Sequence, residues 1–286
     1  MNETARSNNP SGVIPGWYGA DPEVLDIKAD PHEAFRELRE TQAVNLQPDG
    51  QWRVSSYAGV QTLLKHSHSG MRQLDGLIPN ETREETEASR FMLRTDPPDH
   101  DRLRGLVSKA FTPRALAALR PQVQAELDRH LDALAQPDRI DLVADLALVV
   151  PAASMCAMLG VPFEDRDRLS NLVSLATYRL AKLAFPDLQA QAEAAIMELA
   201  TYMLELIEQR RVTPTEDILS GLVAAEESGD SLDTEELLQQ SIGLLVAGLE
   251  TTVGLSGNGM LCVSRSPDPC ERLLRRPEVA EWAGAV

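Results

Sequence analysis

A mainly α-helical fold is predicted for this chain, on three observations. Apolar residues recur at helical spacing almost without interruption from Arg114 to Arg211. The stretch Glu235 to Val263 is too long and too apolar for a surface helix. Strand-like alternation is confined to two short runs near the N-terminus, Ala43-Val44-Asn45-Leu46 and Trp52-Arg53-Val54. They flank Pro48-Asp49-Gly50, the pattern of a small β-hairpin. No repeat and no linker divides the chain. One helical domain is therefore expected over residues 16–286, after a loose segment at residues 1–15.

Asp30 is expected to cap, and Pro31 to open, a first helix through Arg39 with Phe35 and Leu38 inward. After the hairpin, Tyr57 to Lys65 places Val60, Leu63 and Leu64 on one helical face. His66 and His68 end that helix, and neighbours two apart point different ways, which suits a shared metal poorly. Residues 69–93 read as an irregular, polar loop long enough to be functional. Asp96-Pro97-Pro98 signals the next helix start, and Thr112-Pro113 closes that segment.

Pro121 is expected to open a further helix. Leu142 to Leu159, almost wholly apolar around Pro151, reads as fully buried and stopped by Gly160-Val161-Pro162. Leu169 to Leu183 and Leu188 to Arg210 are two more helices, parted at Phe185-Pro186-Asp187. Asp217 to Glu227 is amphipathic, Ser228-Gly229-Asp230 is a turn, and Asp233 caps the long helix. Ser266-Pro267-Asp268-Pro269 follows, then a short helix from Cys270 to Arg275.

Composition bounds the function. The chain has 286 residues, 43% hydrophobic and 25% charged, enough for a substantial core. A net charge of −17 argues against nucleic acid or an anionic membrane as partner. Cys156, Cys262 and Cys270 show no paired spacing, as in a reducing compartment, and the start MNETARSNNPSG has no apolar core of a secretory signal. The chain reads as cytoplasmic.

Two stretches carry chemistry. The long helix contains Ala247, Gly248, Glu250, Thr251 and Thr252 with only Leu249 between them. Glycine and paired threonines disfavour a helix interior. The Thr251 hydroxyl can bond back to the Ala247 carbonyl, four residues earlier, and bend the helix. Gly248 leaves room against the backbone for something flat, and Glu250 sets an ionisable group among apolar neighbours, as a proton carrier would. A kinked core helix fits the same residues. A membrane span does not, because Glu250 splits the run, and Gly257-Asn258-Gly259 lacks the strand and third glycine of a nucleotide loop. In the second stretch, Arg94 to Arg114, His100 and Arg104 stand four apart on one face, suited to an anion such as a carboxylate. Arg102 and Lys109 form a separate basic stripe. An ordinary amphipathic helix fits here too.

The order of TDPPDHDRLRGLVSKAFTPR and, far downstream, LLVAGLETT resembles the cytochrome P-450 superfamily, in particular its bacterial soluble class. QWRVSSYAGVQTLLK, the Leu142 to Pro162 segment and EDILSGLVAAEESGDSLDTEELL support it. The resemblance implies a haem-dependent monooxygenase that oxidises a small organic or natural-product substrate with electrons from a ferredoxin-type donor, which would dock near Arg102 and Lys109. It implies that His100 and Arg104 hold haem propionates and that Ala247 and Gly248 lie over the distal haem face. Glu250 and Thr251 match the acid–alcohol pair that delivers protons. Leu249, aromatic or polar in many members, is expected to adjust the substrate pocket.

One departure stands beside these matches. The family's Glu-x-x-Arg helix and its Phe- and Gly-rich Cys loop, source of the haem thiolate, have no counterpart before Val286. The expectation is the N-terminal two-thirds to three-quarters of the fold, ending after the long helix: a shortened and inactive monooxygenase. The alternative is a haem-free auxiliary protein that activates or scaffolds a partner enzyme such as a glycosyltransferase. Leu244, Leu245, Leu255 and Leu261 would then leave an apolar helix surface for a protein partner.

Overall fold

The computed structural model describes residues 31–46, 52–73, 75–78, 82–134, 140–181, 186–226, 232–265 and 275. They cluster into two compact units. The first takes the described residues of Met1–Thr86 and Leu175–Ala194, the second those of Glu87–Ser174 and Ala195–Val286.

In the first unit, α1 (Pro31–Thr41) leads into β1 (Val44–Leu46) and β2 (Trp52–Val54). The strands pair antiparallel with Asn45 opposite Arg53, as the alternation requires; the turn at Pro48-Asp49-Gly50 and the cap at Asp30 lie outside the described residues. Then α2 (Tyr57–Lys65) begins where Ser56 Oγ accepts from the Gly59 amide at 3.2 Å. A Cβ on Gly59 would lie 2.6 Å from Val54 Cγ1, so only glycine lets the helix leave the strand so abruptly. The expected inward face of α2 is not inward. Among the described residues nothing covers Val60, Leu63 or Leu64, and no residue of α2 is buried. Apolar spacing shows that a face needs cover without showing what supplies it.

Residues 69–93 are not one irregular loop. α3 (Arg83–Ala88) interrupts them behind a reciprocal cap: Glu85 N donates to Thr82 Oγ1 at 3.2 Å, and Thr82 N to Glu85 Oε2 at 2.9 Å. Met92–Arg94 then make one tight 3₁₀ turn.

The second unit holds the larger core. In α4 (Asp99–Ala110), Leu103, Leu106 and Val107 are buried, one spine at helical spacing. Thr112 does more than close this segment. Its Oγ1 accepts from Ala115 N at 3.1 Å and opens α5 (Pro113–Asp132), with Pro113 in the first turn. Pro121 therefore sits inside α5 rather than at a helix start. The apolar run from Leu142 is two pieces. Asp141 starts a wide π-type turn, Leu142–Ala147, by accepting from Val143 N and Ala144 N, both at 3.0 Å, and α6 (Val149–Leu159) follows. Pro151 has no N–H to return to Ala147 and its ring crowds that carbonyl, which disfavours a regular α-helix through this stretch. The run is also not fully buried, since Val143 and Val150 are exposed. Its apolar length would suit a membrane by composition, but α6 packs on α5, α9 and α10.

Gly160 ends α6 in the left-handed region at φ +66°. Next come α7 (Arg166–Thr177), a 3₁₀ turn at Tyr178–Ala181, and α8 (Pro186–Val212). α9 (Ile218–Glu226) and α10 (Thr234–Arg265) complete the order. Leu159, Leu199, Met203, Ile207, Leu219, Leu222 and Leu237 are fully enclosed. A buried ion pair crosses this core: Arg210 Nε donates to Asp217 Oδ2 at 2.6 Å and Arg210 NH2 to the Gly160 carbonyl at 2.6 Å. Phe185, the turn at Ser228-Gly229-Asp230, Ser266 to Pro269 and the helix starting at Cys270 lie outside the described residues.

Candidate functional site

The start of α10 is fastened before its chemistry begins. Asp233 Oδ1 accepts from Glu236 N at 2.7 Å, and Glu236 Oε2 accepts in return from Asp233 N at 3.1 Å. Glu236 is buried, and Arg102 of α4 reaches both its carboxylate oxygens, NH1 to Oε2 at 3.2 Å and NH2 to Oε1. Arg102 is thus committed inside the unit. The basic stripe expected from Arg102 and Lys109 reduces to an exposed Lys109.

One turn on, Gln239 and Gln240 reach across to the chain before α4. Gln239 Oε1 accepts from Arg90 N at 2.6 Å and its Nε2 donates to Ala88 O at 2.9 Å. Gln240, fully buried, accepts from Met92 N at 3.1 Å and donates to Arg90 O at 2.7 Å. Four hydrogen bonds satisfy backbone groups that a strand partner would otherwise take. Phe91 is held between these ties, so close to Gly243 that a Cβ there would lie 2.2 Å from the ring.

The middle of α10 carries the residues singled out by sequence. Thr251 Oγ1 donates to the Ala247 carbonyl at 2.6 Å, the back-bond expected of that spacing. Ala247, Thr251 and Gly254 share one exposed face, while Leu245 and Leu249 are buried on the opposite one. Glu250 is half-buried on the flank of the Thr251 face.

Three expectations change. Leu249 is a core residue and cannot tune a pocket on the Thr251 side. Leu245 is not part of a bare surface, although Leu255 and Leu261 are exposed. The space beside Gly248 is filled, because a Cβ there would lie 2.3 Å from Met155 Sδ. Gly248 lets α10 close on α6 with the Met155 side chain in its present place.

His100 and Arg104 stand one turn apart on the flank of the buried α4 spine, His100 half-buried and Arg104 exposed. His100 N donates to Asp96 O at 3.1 Å, and its Nδ1 lies 3.1 Å from Asp101 Oδ1. With Nδ1–H given to that carboxylate, Nε2 is an acceptor in the neutral ring and donates only when both nitrogens carry a proton. No hydrogen bond or ion pair among the described residues joins this pair to the Ala247–Thr251 turn. The two groups meet through the chain instead: α4 is tied to α10 by Arg102–Glu236 and by residues 88–92. The glutamine ties were missed in the sequence, where Gln239-Gln240 looks like any polar pair on a helix. Cys156 is buried, which pushes its thiol up to about 11, the state of a packing residue rather than a reactive thiol. No metal-binding cluster occurs among the described residues.

These features fit haem on two counts. A face bearing only a methyl and a hydroxyl, with open space where a Gly254 side chain would be, admits a flat group. A guanidinium, and an imidazole protonated on both nitrogens, are donors that its carboxylates can use.

The Cytochrome P-450 family model matches residues 22–276. The chain is 38% identical over 283 residues to the cytochrome P-450 monooxygenase PikC of Streptomyces venezuelae, covering 93% of this chain and 65% of that protein. It is 37% identical over 257 residues to the mycinamicin IV hydroxylase/epoxidase of Micromonospora griseorubida, covering 86% and 62%. The fold is similar to a Bacillus megaterium member solved in complex with testosterone, with TM-score 0.74, 31% identity, and 87% and 64% of the two chains covered. The chain thus spans somewhat less than two thirds of the length of these relatives. A mainly helical unit, a small N-terminal hairpin and the matched motifs in order agree with them: the chain belongs to the cytochrome P-450 family.

Proposed function

We propose that this chain forms the oxygen-facing wall, and part of the carboxylate grip, of a haem-dependent monooxygenase acting on a small organic substrate. The carrying observation is the Thr251 hydroxyl bonded to the Ala247 carbonyl on the open face of α10. Haem, when bound, supplies oxygen activation and C–H oxidation. Thr251 spends its own proton on Ala247, so its oxygen is presented as an acceptor and orders a water on that face. Ala247 keeps the face low enough for substrate to approach. Glu250, next in sequence and half in solvent, exchanges protons with water and passes them toward Thr251. The Arg104 guanidinium, together with His100 protonated on both nitrogens, would hold the haem carboxylates.

Family membership supports an external redox partner, and the similarity to the mycinamicin enzyme supports a natural-product substrate. A cytoplasmic location accords with the bacterial relatives. Hemin titration tests the reading. A saturable Soret band is expected, with affinity lowered roughly tenfold in His100→Ala or Arg104→Ala, the scale of one charge-assisted hydrogen bond. Absence of saturable binding would overturn it.

A further inference from the structure

We propose that Gln239 and Gln240 are positioning residues that make the α10 helix and the approach to α4 one mechanical piece. The inference rests on the reading above for its consequence, though not for its geometry.

Gln240, Gly243, Ala247 and Thr251 follow one another at spacings of three and four, so they lie along a single face of α10. Residues 88–92 are docked on the N-terminal part of that face. Their backbone is held at Ala88 O, Arg90 N, Arg90 O and Met92 N, all by the two glutamine amides. Each amide uses its donor and its acceptor, and the bonds to Arg90 come from both glutamines. Phe91 is thereby fixed over Gly243, one helical turn before Ala247, about 6 Å along the axis. The segment therefore ends as a wall where the open face begins.

It also leads directly, through the Met92–Arg94 turn, into α4 and His100. A shift of α10 is passed toward His100 by the hydrogen bonds from the glutamine side chains to this backbone, alongside the Arg102–Glu236 pair. Gln240 is fully buried, so loosening it exposes no alternative partner. An aliphatic residue there would fill the space while releasing Met92 N–H and Arg90 C=O together.

The test compares the full chain, Gln239→Ala/Gln240→Leu, and Leu222→Ala as a core variant outside the clamp. Amide hydrogen exchange and hemin dissociation are measured on all three. In the glutamine variant, exchange at Arg90 and Met92 should rise about tenfold or more and extend to the first turn of α4, while Leu245 and Leu249 stay protected. Hemin should leave several-fold faster in that variant than in Leu222→Ala after matching for thermal stability.

Equal exchange at Arg90 and Met92 in the parent and the glutamine variant would overturn the proposal. So would equal effects of the two variants, which would mark the glutamines as merely structural. If the parent binds no hemin, the monooxygenase reading fails, and the exchange pattern still decides the clamp.

Discussion

Arg102 of α4 grips Glu236 of α10 across 134 residues of sequence, and Glu236 at the same time closes the N-terminal box of its own helix with Asp233. Removing Arg102 would leave a buried carboxylate with only backbone donors. Breaking a fully buried pair costs about 3–5 kcal/mol, and Arg102 is a third exposed, so Arg102→Ala should lose about 2 kcal/mol. Glu236→Gln should lose less, because it keeps the cap and leaves no uncompensated buried charge. Urea unfolding of the two variants checks the order, and equal losses would show that the stranded carboxylate carries no extra cost.

Gly248 and Gly243 should both resist alanine, for different neighbours. A Cβ at Gly248 meets the flexible Met155 side chain, while at Gly243 it meets the rigid Phe91 ring. Alanine gains about 1 kcal/mol of helix propensity, against about 1–3 kcal/mol for overpacking. Gly248→Ala should end near neutral to 1 kcal/mol destabilised, and Gly243→Ala about 2 kcal/mol. Adding Met155→Ala should relieve the first variant by more than additivity allows, a coupling that a double-mutant cycle of melts reads directly.

Asp217 gives the acid limb of stability. Burial raises its pKa, but hydrogen bonds from Thr215, Ser220 and Arg210 outweigh this and hold it below the usual carboxylate range. A depressed folded value means the contribution is complete above the unfolded value, about 3.9, and is lost as pH falls through the folded one. Asp217→Asn should therefore be clearly less stable at pH 7, with the gap to the parent closing below about pH 4. A constant gap from pH 7 to pH 3 would contradict this assignment.

Thr251→Ala should leave the fold intact, since the side chain is exposed and its only bond among the described residues is to its own helix. In a chain completed with the family's cysteine-bearing haem loop, loaded with haem and supplied with a redox partner, the variant should consume NAD(P)H while forming more peroxide and less product. Losing one such positioned polar group raises the barrier by up to about 3–4 kcal/mol. Product per NAD(P)H oxidised is the measurement, and a variant as well coupled as its parent would remove Thr251 from proton delivery.

Much of this was legible in local sequence, because the signals are local. Ser56 before Tyr57, Asp233 before α10 and the four-residue reach from Thr251 to Ala247 need no tertiary partner to act. The α3 helix was also written locally, in Thr82-Arg83-Glu84-Glu85, but its polar setting hid the box. Other features were not readable. Leu249 follows Gly248 in sequence, yet the helix turns it to the far side, into the core. Gln239 and Gln240 acquire meaning only from Arg90 and Met92, about 150 residues earlier in the chain. Met155 decides the role of Gly248 from another helix.

Pro121 gives α5 an unusual weak point. It contributes no N–H, so the carbonyl of Ala117 lacks its helical donor on an exposed stretch. An ordinary helix frays from its ends; this one has a missing rung near its centre. Solvent exchange and proteolytic nicking of α5 should start there and spread outward, so the helix would behave as two short rods on a shared hinge.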